Sequence, residues 1–134
     1  MARGDMLENL GRHQQALADY TQAMTLARNR YDKWIESVKE EADKQKVMRG
    51  RDSAIARVHV RRGNVFGAMD RPEEALAEYA QALELRPNDG YIYANRGWLY
   101  EKQGRLDLAR ADYEKAASLT TPDDWLKRAL ERTR

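Results

Sequence analysis

Few residues of this chain could do chemistry. Two histidines are present, His13 and His59, and cysteine is absent, which excludes thiolate nucleophiles, disulfides and thiolate metal sites. No H-E-x-x-H, G-x-S-x-G or phosphate-loop pattern occurs. Glu36 and Glu40 stand at i, i+4 on one helical face, the kind of carboxylate pair that acid–base chemistry uses. With no histidine beside them, they read as a solvated face. Gly63-Asn64-Val65-Phe66-Gly67 brings two glycines together, as phosphate cradles do, yet it lies inside a helical pattern. His59 falls on the same predicted helix, where packing between helices is the default. No catalytic residue, metal site or cofactor is expected. What the chain does carry is arginine, seventeen against seven lysines. These are spread along the sequence, apart from Arg57, Arg61 and Arg62. A nucleic-acid surface would need them clustered, so nucleic acid is not an expected partner. A net charge of +2 with well-mixed signs describes a solvated helical surface instead.

The elements that would hold these residues announce themselves by repetition. Each copy of the pattern opens on an Arg-Gly pair, at Arg3-Gly4, Arg62-Gly63 and Arg96-Gly97. Twelve residues after each glycine stands an alanine (Ala16, Ala75, Ala109), then a tyrosine (Tyr20, Tyr79, Tyr113). Another alanine (Ala23, Ala82, Ala116) and a leucine (Leu26, Leu85, Leu119) follow. The second and third copies are offset by 34 residues, and the first and second by 59, one unit plus an insertion of 25. A fixed period in this range marks a solenoid.

Breaks between helices are equally readable. Asp70-Arg71-Pro72-Glu73-Glu74 places proline in a first turn with acids near the helix N-terminus. Arg86-Pro87-Asn88-Asp89-Gly90 ends one helix and begins another, and Gln103-Gly104-Arg105 turns the third pair. Thr120-Thr121-Pro122-Asp123-Asp124 caps a last helix carrying Trp125, Leu126, Ala129 and Leu130. In the insertion, an apolar stripe runs from Leu17 through Tyr31, Trp34, Ile35 and Val38 to Ala42, so the helix continues well past its usual end. Lys46 to Asp52, with Gly50, reads as the turn, and Asp52 or Ser53 as the cap of the next helix. Ten to fifteen extra residues would project on the order of 15–22 Å. The stripe packs on its own return segment or on the next repeat, or else forms a partner-binding arm through Tyr31, Trp34 and Val38.

These residues and their period resemble the tetratricopeptide repeat, a helix–turn–helix unit. Gly97, Tyr100, Gly104, Ala109, Tyr113 and Ala116 carry the likeness in one copy, and Gly63, Phe66, Ala75, Tyr79, Ala82 and Pro87 in another. Asp70 departs from it where Gly104 stands, and His59 occupies a usual large apolar position. Met1 falls inside what should be the first helix of the first copy. The resemblance implies an all-α solenoid of antiparallel helix pairs forming one domain. A partial first repeat (1–30) is followed by a helical insertion (31–55), a second repeat (56–89), a third (90–123) and a capping helix (124–134). One pair cannot bury its apolar face alone, so stacking supplies the core. Leu7, Leu10 and Leu17 would be incompletely covered, which favours weak self-association or fraying at that end.

The resemblance further implies a protein-interaction module, not an enzyme, with an inner groove lined by the first helix of each pair. Helical spacing maps that face to Arg57, Val60, Arg61, Asn64, Gly67 and Ala68, then to Tyr91, Ala94, Asn95, Trp98, Glu101 and Lys102. Asp5, Glu8 and Asn9 come from the partial repeat. Tyr91 and Trp98 are the aromatic anchors, and the arginines favour an acidic or amphipathic peptide or partner helix. One subclass of the family grips a C-terminal carboxylate, and Asn64 and Asn95 fall at matching places. Val60 stands where that grip wants lysine, so the match is incomplete. The alternative function is a self-assembling structural or scaffold element, joined through solenoid ends or through the helical insertion. No run approaches the ~18 apolar residues of a membrane span, and no apolar signal stretch follows Met1; a cytoplasmic location is the default expectation.

Overall fold

The computed structural model describes the backbone of residues 3–134 and the side chains from Asn9 onward. Six helices, and no strand among the described residues, follow one another: α1 (Arg3–Ser37), α2 (Glu41–Ala68), α3 (Pro72–Leu85), α4 (Gly90–Lys102), α5 (Leu106–Leu119) and α6 (Asp124–Arg132). They pack in adjacent antiparallel pairs.

The turns form where the sequence is built for them. Asp70 takes φ +59° and Gly104 φ +75°, left-handed conformations that end α2 and α4. Pro72 opens α3 with Glu73 and Glu74 in its first turn. Asp89 caps α4 by accepting from the Tyr91 amide (3.0 Å), and Asp123 caps α6 through the Leu126 amide (2.8 Å).

Glycine against tyrosine sets the spacing inside each complete pair. A Cβ on Gly63 would stand 2.7 Å from the Tyr79 ring, and one on Gly97 2.8 Å from the Tyr113 ring. The helices therefore approach to a distance only glycine permits. Two clusters result. Ala56, Val60, Phe66, Ala75, Tyr79, Ala82, Ile92 and Leu99 form one, and Ala109, Tyr113, Ala116, Leu126 and Ala129 the other. α4 serves both, with Ile92 and Leu99 in the first and Tyr93, Ala94 and Tyr100 against the second. Arg96 ties α4 to α5 through a two-pronged bond to the buried Asp112 (2.8 Å each).

Two expectations about the N-terminal half need correction. The insertion does not turn at residues 46–52. α1 ends at Ser37, and α2 runs from Glu41 through Gly50, Asp52 and Ser53 without a break. Gly50 is there for close approach, since a Cβ would stand 3.5 Å from the Tyr31 ring. The acids Glu41 and Asp43 lie in the first turn of α2, where the helix dipole favours them. The insertion is thus a helical hairpin packed on its own return helix, stapled by Arg51 to Asp32 (3.0 Å) with Met24 and Val47 buried.

The first copy also forms no helix pair of its own. α1 is one helix through Gly11, the position matching Asp70 and Gly104. In consequence Ala16 and Tyr20 are only half-buried, Ala23 is exposed, and Leu26 is 59% exposed. Their counterparts Ala75, Tyr79 and Ala82 have no exposure at all. Leu10 is exposed as well; Leu7, Asp5 and Glu8 lie outside the described side chains.

Candidate partner-binding groove

The groove is assembled from α2, α4, the α5–α6 link and α6. It encloses a cavity of about 580 Å³. Asn64 comes from α2, Tyr91, Ala94, Asn95 and Trp98 from α4, and Trp125 and Leu126 from α6. Tyr91 is 48% exposed and Trp125 44% exposed, whereas Trp98 is half-buried. Three aromatic side chains stand around a mostly apolar hollow, and aromatic residues are the type that dominates interface energetics.

Its polar floor is a hydrogen-bonded chain. The Tyr79 hydroxyl donates to Asn64 Oδ1, Asn64 Nδ2 donates to Asn95 Oδ1 (3.0 Å), and Asn95 Nδ2 donates to the Tyr91 carbonyl (2.7 Å). Burial, with a smaller contribution from Tyr91, pushes the Tyr79 hydroxyl far above its ordinary pKa, so it remains a donor. That fixes both amides the same way round and leaves each nitrogen one further N–H.

The remaining predicted groove residues divide. Arg57 and Arg61 are exposed on α2, on the face that leads to Asn64, and neither is ion-paired among the described residues. Arg62 parts from them: its Nη2 reaches Glu78 (3.1 Å) inside the second repeat. Glu78 also lies 2.8 Å from His59 Nδ1, which gives that buried histidine a packing role. Val60 is a correction. It has no exposure and lies in the first cluster, with Leu17 of α1 packed against that cluster, so it cannot meet a partner.

Glu101 and Lys102 are occupied. Glu101 accepts from the Tyr113 hydroxyl (2.7 Å) and from Arg132 of α6 (2.9 and 3.2 Å). The Arg132 bond, supported by Tyr113, holds its carboxyl below the ordinary range despite some desolvation. Lys102 donates to the Gly67 carbonyl (3.0 Å) and lies 5.1 Å over the Trp98 ring. It thereby braces the end of α2 and the back of Trp98. Gly67 is likewise covered, because Leu99 and Trp98 pack within 3.2 and 3.6 Å of where its Cβ would be. On the hairpin, Tyr31 stacks on Trp34 (6.1 Å), Val38 sits half-buried at the turn, and Trp34 is 53% exposed.

Sequence reasoning places Trp125 on a capping helix and does not assign it to the groove. Tyr113 shows why it belongs there: the Trp125 ring packs edge-on against it at 5.7 Å, turning the indole toward the cavity wall. The Thr120–Asp123 link is more than a cap, since it supplies Thr120, Thr121 and Asp123 to the same wall. Among the described residues no cluster of three His, Asp or Glu could hold a metal ion, and no helix is long and apolar enough to cross a membrane.

Comparison with known proteins agrees with this architecture. Tetratricopeptide-repeat profiles match residues 60–124 and 1–30. The chain is 34% identical over 84 residues to the Hsp70-Hsp90 organizing protein 3 of Arabidopsis thaliana, covering 63% of this chain but only 14% of that relative. A crystal structure of a thermophilic TPR protein from Thermus thermophilus superposes with a TM-score of 0.55. It shares 23% identity, over 92% of this chain and 74% of the other, and speaks to the fold alone. With 34-residue units, glycine–tyrosine helix pairs and two matching profiles, the chain belongs to the tetratricopeptide repeat family and is a protein–protein interaction module.

Proposed function

We propose that the groove between α2, α4 and α6 binds a peptide segment whose apolar side chains are flanked by acids. The observation that carries this reading is the convergence of Tyr91, Trp98 and Trp125 on one cavity floored by the oriented amides of Asn64 and Asn95. The rings would bury apolar side chains, and the two amide N–H groups would meet peptide carbonyls or a carboxylate. Arg57 and Arg61 extend the site along α2 and would attract acids at the segment's end. Exposed ion pairs contribute only about 0–1 kcal/mol each, so charge here mainly raises the association rate and makes it fall with salt. The name of the Arabidopsis relative links it to Hsp70 and Hsp90. A chaperone-tail grip of the carboxylate-clamp kind is disfavoured in this chain, because Val60 is core where that grip needs a cation.

The test is a peptide array of apolar segments with and without flanking acids, and with free or amidated C-termini, followed by titration of the best binder. Trp98→Ala should weaken binding at least roughly tenfold with helicity retained, and Arg57→Ala by no more than about fivefold. Equal affinity of wild type and a folded Trp98→Ala variant would remove the groove from consideration.

A further inference from the structure

The open face of α1 carries a complete repeat signature whose other half is on the same straight helix and out of its own reach. In the second repeat Gly63 meets Tyr79, sixteen residues on; in the third, Gly97 meets Tyr113. The matching pair is Gly4 and Tyr20. An ion pair recurs in the same register. Arg62 reaches Glu78 (3.1 Å) and Arg96 reaches Asp112 (2.8 Å), and the first copy has Arg3 and Asp19 in those places. Along one helix, sixteen residues separate the members of each pair by about 24 Å. Within α1 they cannot meet. Asp19 is exposed and accepts from Gln15 of its own helix (2.9 Å).

We infer that two copies of this chain pair through their α1 helices, each supplying the first helix that the other's Ala16–Tyr20–Ala23 face lacks. The register makes this self-complementary. Residue 4 of one copy opposes residue 20 of the other, so the antiparallel helices cross near Gly11 and Arg12 on a two-fold axis. At Gly11 an added Cβ would meet nothing within 4 Å, which leaves the crossing point open for a second backbone. In the repeat register Leu7 corresponds to Phe66 and Arg3 to Arg62, so the crossing would set Arg3 of one copy opposite Asp19 of the other. The exchanged element is the repeat's own first helix, and the straightened turn at Gly11 is the hinge. A cis hairpin would need a break there like Asp70-Arg71-Pro72, but the chain has Gly11-Arg12-His13 in a continuous helix. This pairing stands apart from the groove, which α2, α4 and α6 form at the other end of the stack.

Sedimentation equilibrium of the full chain over a wide concentration range tests it. The wild type should dimerise. Arg3→Glu and Asp19→Arg should each weaken the dimer about tenfold or more, and the two together should restore it, because like charges would otherwise face each other. Unchanged circular dichroism checks that each variant keeps the fold. A second variant joins Gly11→Asp with His13→Pro, the turn residues of the second repeat. It should give a monomer, with Tyr20 less exposed, by closing the pair in cis. A wild type that stays monomeric at high concentration would overturn the inference. So would a dimer indifferent to Arg3 and Asp19, since another surface would then hold it.

Discussion

Tyr20 and Tyr79 occupy equivalent places in the same signature, yet Tyr79 is sealed and Tyr20 half-open. The difference lies in the segment before them. Asp70 adopts a left-handed conformation and Pro72 starts a new helix, so α3 folds back and its Ala–Tyr–Ala face meets Gly63. Gly11-Arg12-His13 has neither a cap nor a proline, and α1 runs straight on. A repeat signature therefore specifies a face; whether the chain covers that face itself depends on three residues of turn chemistry.

The strongest way to break this comparison is to delete the two rings. Tyr79→Ala should cost about 3–5 kcal/mol, the range for removing a buried aromatic, enough to unfold the second repeat if its margin is small. Tyr20→Ala, measured at dilution where the chain is monomeric, should cost under about 1 kcal/mol. Equal losses in denaturant titrations would mean that the first copy is covered in cis after all.

Glycine sharpens it next, because the sign should change. Gly63→Ala drives a methyl into the Tyr79 ring and should destabilise by about 1–3 kcal/mol. Gly11→Ala, measured at dilution where the chain is monomeric, meets no neighbour and should stabilise the helix by roughly 0.5–1 kcal/mol. Thermal midpoints moving in the same direction would contradict the straight helix.

The smallest effect belongs to the far end, where α6 closes the stack that α1 leaves open. Glu101 has its carboxyl pKa lowered by Arg132 and Tyr113. Its contribution is present above the ordinary value of 4.5 and is lost as pH falls through the depressed folded value. Acid should therefore loosen α6 in that window, seen as altered Trp125 fluorescence, and Glu101→Gln should flatten the change. An identical acid profile in that variant would assign the transition to other carboxylates.

Much of the fold was legible because its punctuation is chemical. Pro72, Pro87, Gly104 and the Thr120–Asp123 cap each mark a real boundary. Gly50 misled, since glycine serves close approach as readily as a turn, and only the position of Tyr31 decides between them. The true bend at residues 38–40 contains no glycine or proline to betray it. In the groove, Asn64, Tyr91, Asn95 and Trp98 follow from helical spacing. Spacing on one helix could not reveal that Val60 is sealed, or that Glu101 is engaged by Arg132, 31 residues away. Those are long-range facts, set by how α1 and α6 lie across the stack.

The two apolar clusters share no residue, and α4 alone has a wall in each. The groove lies along that seam, with Asn64 on one bank and Leu126 of the second cluster on the other. In a one-dimensional stack the coupling between neighbours decides whether halves melt together or apart. A ligand bound across the seam would add a second strut beside α4. Occupancy would then be felt as cooperativity, with the two halves of the molecule opening as one body rather than in turn.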